Sequence, residues 1–187
     1  MIKPGANIVW KGEGFLFGIL SPLLGLLDAS WRARPWKGWH TGYVVKVLDT
    51  GEIVTSQALQ KGIQYVTYSS IEDMEDYRIY NWLDNPDEVK IETYAERHIG
   101  APYDPWAYLW TIIALPFQFA IYNRCYTCWE NTSQFDRSMG KELQPSHEMP
   151  LISKMINALE RVGIDTKIKV PAASCTAENQ PGSCPAH

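Results

Sequence analysis

Four strand-like segments between residues 41 and 82 constrain this chain most. Residues 41–48 are β-branched or aromatic, Asp49-Thr50-Gly51 supplies a turn, and residues 52–58 return as the second strand of a hairpin. Residues 63–68 and 77–82 are equally dense in Tyr, Ile, Val and Thr, side chains that suit a pleated, half-buried surface. Residues 6–10, after Pro4-Gly5, read as one more short strand.

Helices are expected around this sheet. Over residues 85–99, Asn85 is placed to cap, Pro86 suits the first helical position, and Asp87 and Glu88 complement the dipole. Val89, Tyr94, Ala95 and Ile99 would give that helix its apolar face, and Gly100 would end it. Residues 126–139 carry Cys128, Thr132, Phe135 and Met139 along one face, and Gly140 follows. A last amphipathic helix is expected over 150–162, built on Leu151, Ile152, Met155, Ile156 and Leu159. Residues 30–39 read as a solvated loop with Trp31, Trp36 and Trp39 as anchors. The expected class is α+β, an antiparallel sheet flanked by helices. Residues 1–162 form the domain, and 163–187, rich in Pro, Ser, Ala and Thr, form a mostly irregular tail.

Composition removes some function classes. A net charge of −4 provides no basic face, which argues against a nucleic-acid partner. The four cysteines fall as Cys125/Cys128 and Cys175/Cys184, and the second pair is too widely spaced for a zinc knuckle, so no metal or other cofactor is expected. Cys175 and Cys184 would close a small loop only in an oxidising compartment. Two apolar runs, 15–27 and 105–122, are candidates for contact with a membrane surface. Pro116 and Gln118 interrupt the longer one, which reads as a packed helix broken at the proline rather than a span. The shorter run follows Pro4, Gly5 and Glu13 and lacks a clean small-x-small cleavage site. Synthesis in the cytoplasm is the default expectation, and the oligomeric state stays open.

The residues able to do chemistry are Cys128 and His40. A thiol at a helix start has its pKa lowered by unpaired N–H groups and the dipole, and a neutral imidazole beside it would complete a nucleophile–base pair. His40 opens a strand, where its ring can project over a sheet edge. A third polar group must orient the ring. If the hairpin loop is Thr50-Gly51, Gln57 faces Val44 and shares the face of His40; if the loop holds three residues, Ser56 takes that face instead. The backbone N–H of Cys128 could hold an oxyanion, and Tyr103 could add a phenolic donor. A Cys125-x-x-Cys128 redox pair would need a parallel βαβ setting, and none is legible.

The ordered motifs resemble those of permuted papain-like cysteine peptidases and amidases, the YiiX-like branch of the NlpC-type superfamily. They are Pro4-Gly5-Ala6-Asn7-Ile8, His40-Thr41-Gly42-Tyr43-Val44-Val45, Ser56-Gln57-Ala58, Gly100-Ala101-Pro102-Tyr103-Asp104 and Tyr126-Thr127-Cys128-Trp129-Glu130. The likeness covers roughly residues 4 to 140. It implies a circularly permuted papain-like fold with a partly barrel-like sheet, Cys128 rather than Cys125 as nucleophile, His40 as base and Gln57 at the third position. Ala6 stands where an Asp is usual and Gln57 where a Glu is common. The resemblance also implies a thiol hydrolase of amide bonds, for instance in cell-wall peptides. Related lecithin-retinol-acyltransferase-like proteins share the His-first order, so an acyl-lipid substrate and a non-catalytic binding protein are the rival readings.

Overall fold

The computed structural model describes residues 2–11, 18, 21–22, 25–26, 29–33, 36–74, 76–82, 84, 86–104, 127–141, 143, 152–162 and 164–166. The run 105–122, most of 15–27, Asn85, Cys125, Tyr126, Cys175, Cys184 and the tail from 167 lie outside these residues.

The elements are β1 (Asn7–Lys11), α1 (Ala29–Ala33), β2 (Gly38–Val47), β3 (Ile53–Leu59) and β4 (Gly62–Tyr68), then β5 (Tyr77–Asn81) and α2 (Glu88–His98). Helices α3 (Cys128–Ser138) and α4 (Ile152–Val162) and strand β6 (Ile164–Thr166) complete the set. The strands form one sheet in the order β4-β3-β2-β1-β5-β6, with every pair antiparallel. The α+β expectation holds, but the sheet is open. Among the described residues β4 and β6 are its edges, so the partly barrel-like closure is not found.

Strand alternation gives the sheet two different faces. Tyr43, Val45 and Val54 point toward α2 and α3, where they meet Ile91, Ala95 and Phe135. Phe135 stacks on Tyr43 with parallel rings and centroids 3.7 Å apart. Farther along this face, Val9, Ala58, Ile63 and Tyr80 pack with Cys128 and Trp129 of α3 and with Met155, Ile156 and Leu159 of α4. The opposite face gathers Ala6, Ile8, Val44, Ile53, Tyr77 and Ile79. Each fully buried aliphatic side chain here contributes about 1.5–3 kcal/mol of hydrophobic stabilisation. A polar tie crosses the core as well: Asn7 Nδ2 donates to both carboxylate oxygens of Asp136, at 2.9 and 3.0 Å, fixing α3 to β1.

Several boundaries differ from the sequence reading. Helix α2 is capped by Asp87, whose side chain accepts from the Val89 N–H, so it begins past Pro86. Its phase then buries Ile91 and Ala95 and leaves Val89 70% exposed. Trp31 is not a loop anchor. It lies on α1, is 1% exposed, and donates Nε1–H to Ser21. Strand β6 falls beyond residue 163, where little regular structure was expected, and its pairing with β5 carries the sheet past that boundary.

Candidate active site

Helix α3 starts where it does because of a capping box. The Thr127 hydroxyl accepts from the Glu130 N–H, and the Glu130 carboxylate accepts from the Thr127 N–H at 2.9 Å. Thr127-x-x-Glu130 is the sequence signal that places Cys128 first in the helix. Glu130 is therefore structural, and burial together with the nearby Asp104 carboxylate raises its pKa.

Beyond this start, α3 lies against β2. Thr132 Oγ1 donates to the Cys128 carbonyl at 3.0 Å and meets Thr41 Oγ1 at 3.0 Å. The Cys128 thiol points to the Trp39 carbonyl, 3.8 Å away. Cys128 thus touches the main chain at the residue before His40. The last β2–β3 pair is Gly42–Gln57, although both strands continue past it, and the sulfur sits beside the part of β2 that pairs with β1 alone.

The His40 imidazole leaves β2 on the face opposite Thr41 and Tyr43. Its Nε2 lies 2.8 Å from Gln57 Oε1, and its ring packs beside Trp10 with centroids 5.2 Å apart. Gln57 in turn donates from Nε2 to Thr55 Oγ1 at 2.9 Å and to Tyr68 Oη at 3.0 Å. Gly42 makes this cluster possible. A Cβ there would fall 2.8 Å from the Ser56 carbonyl oxygen, 2.9 Å from Gln57 Cγ and 3.3 Å from Trp10.

Of the residues proposed from sequence, His40 and Gln57 are joined by a hydrogen bond, while the thiol bonds to the backbone around His40 and not to the ring. Tyr103 is half-buried against the cluster that holds Cys128 and Trp129. The turn that carries it docks on β4 through Ile63 N–H to Ala101 O and Gly100 N–H to Ile63 O, both 2.9 Å. Thr55, Tyr68, Trp10 and Thr41 were missed. Their sequence signal was face parity with His40, Gln57 or Cys128, which depends on a register that sequence alone left open.

Electrostatics correct one expectation outright. Burial pushes the Cys128 thiol up to about 11, and the N–H groups of the helix start and of Thr41 offset this only in part. Cys128 is 1% exposed, so desolvation of a thiolate outweighs the dipole. Burial also lowers the pKa of His40, and the hydrogen bond to the Gln57 carbonyl oxygen opposes this. Both groups therefore rest neutral at physiological pH. Among the described residues no helix is long and apolar enough to cross a membrane. Comparison with known proteins finds no matching family model and no matching curated sequence.

Proposed function

We propose that this chain is a thiol hydrolase of amide bonds, with Cys128 as nucleophile, His40 as base and Gln57 as the group that orients His40, in a permuted papain-like arrangement. The observation that carries this reading is the Cys128 sulfur at 3.8 Å from the carbonyl of Trp39, one residue from an imidazole already held by a buried amide. Gln57 holds the imidazole, and the sulfur reaches the backbone beside it, where the β2–β3 pairing ends.

Because thiol and imidazole both rest neutral, the proton moves during attack rather than before it. The thiol leaves the Trp39 carbonyl and turns to His40. The imidazole takes its proton as the sulfur–carbon bond forms at the substrate carbonyl. N–H groups at the start of α3, with Tyr103 as a second donor, stabilise the oxyanion. The imidazolium returns the proton to the leaving nitrogen as the carbon–nitrogen bond breaks, and water then releases the thioester. A peptide such as a cell-wall stem peptide is the substrate class this reading favours.

One observation favours a rival. A buried, protonated thiol with its S–H spent on a backbone carbonyl is also how an inert core cysteine looks, and a non-catalytic protein of this fold would have one. Turnover separates the two. Cys128→Ala should abolish hydrolysis of peptide amides by the wild-type chain while leaving its circular dichroism and thermal midpoint nearly unchanged. Unaltered hydrolysis in that variant removes Cys128 from the chemistry.

A further inference from the structure

We infer that Thr55 is a positioning residue that selects which nitrogen of His40 acts as the base. Every hydroxyl has one proton, and the Thr55 proton is committed: Oγ1 donates to the Val66 carbonyl across the β3–β4 pair at 3.0 Å. Toward Gln57 it can only accept. The amide group that faces Thr55 at 2.9 Å is therefore the NH₂ end, and the carbonyl end is turned to His40. A carbonyl oxygen has nothing to donate, so the imidazole must donate to it from Nε2–H. That leaves Nδ1 bare.

Tyr68 touches the same amide at 3.0 Å but does not decide its orientation, because a phenol can accept from NH₂ or donate to a carbonyl equally well. With the opposite amide orientation, the NH₂ would donate to His40 Nε2, Nδ1 would carry the proton, and neither ring nitrogen could accept one from Cys128. The inference deepens the hydrolase reading, which needs a bare Nδ1, and it explains how a glutamine serves where a carboxylate would need no such direction. Gly42 keeps the space into which the amide fits.

The test is ¹⁵N NMR of the full chain labelled at histidine, with His40 assigned by its loss in His40→Gln. Wild type should show a protonated Nε2 and a pyridine-like Nδ1. Thr55→Val should introduce a population with protonated Nδ1, whereas Thr55→Ser and Tyr68→Phe should keep the wild-type tautomer. A protonated Nδ1 in wild type overturns the inference. So does an unchanged tautomer in a folded Thr55→Val, or a Tyr68→Phe variant that switches. If Thr55→Val does not fold, wild type and Tyr68→Phe still decide. The readout uses no substrate, so a chain with the expected tautomer and no hydrolysis keeps the inference about Thr55 and loses the hydrolase reading.

Discussion

The Cys128 sulfur lies 3.8 Å from the carbonyl oxygen of Trp39, the residue that precedes His40. That contact joins positions far apart in the chain and sets the resting state of the site. The thiol hydrogen is held by a backbone oxygen, the imidazole is held by Gln57, and both groups are neutral. In the proposed mechanism, attack requires a substrate to draw the thiol from the carbonyl toward the ring.

The resting thiol should be hard to alkylate. Iodoacetamide labelling of the substrate-free chain, quantified peptide by peptide, should give Cys128 a midpoint near pH 11. An ordinary thiol titrates near about 8.5. A midpoint below the ordinary value would show a thiolate already formed at rest.

His40 should stay neutral below the usual imidazole range. Burial lowers its pKa from 6.5, so the acid limb of kcat/KM should fall below that value. The same shift has a stability consequence. Its contribution is present above 6.5 and is lost as pH falls through the folded value, because the unfolded chain takes up the proton first. Gln57→Glu should move the acid limb upward, since a carboxylate stabilises imidazolium where an amide cannot. A wild-type limb at or above 6.5 contradicts the buried neutral ring.

Gly42→Ala should damage stability and site together. The added methyl meets the Ser56 carbonyl oxygen and Gln57 Cγ, each closer than 3.0 Å, so β3 or the amide must move. Overpacking of this kind costs about 1–3 kcal/mol. Urea denaturation should show the loss, and the His40–Gln57 bond should weaken in the imidazole NMR spectrum. A variant with wild-type stability and an unchanged spectrum would mean the space is not needed.

Asp136 should make neutral pH costly. Burial raises its pKa well above 3.8, against the donor Asn7 and the charge of Lys141. Its contribution is full below 3.8 and is lost as pH rises through the folded value, because the unfolded chain ionises first. Asn7 Oδ1 is buried with no hydrogen-bond partner among the described residues, and an asparagine at 136 could donate to it once the Asn7 amide turns. Asp136→Asn should therefore raise the thermal midpoint at pH 7, with the gain shrinking as pH approaches 4. A lower midpoint at pH 7 argues that the carboxylate itself is needed.

The strands and the α+β class were legible because side-chain periodicity is local. Register was not, and Gln57 shows why. The hairpin loop holds three residues, with Leu48 N–H bonded to Glu52 O and Gly51 at φ +90°, which by itself would turn Ser56 to the face of His40. An extra residue, Val45, is then taken up between the Val44–Thr55 and Lys46–Val54 pairs, and parity reverses a second time. Two slips cancel, and Gln57 meets His40 for a reason that the loop sequence does not contain. The thiol is the complementary case. A helix start is visible in sequence, but the burial that overrides it comes from packing by distant segments, among them Trp31, Trp39 and α4.

The most direct measurement is a rapid-quench experiment on the full chain with an activated peptide amide, with the denatured protein mapped by mass spectrometry. The account predicts an acyl group on Cys128 during turnover, absent in His40→Ala and absent from Cys125, Cys175 and Cys184. Hydrolysis that proceeds with no adduct on Cys128, or an adduct formed equally well without His40, contradicts it.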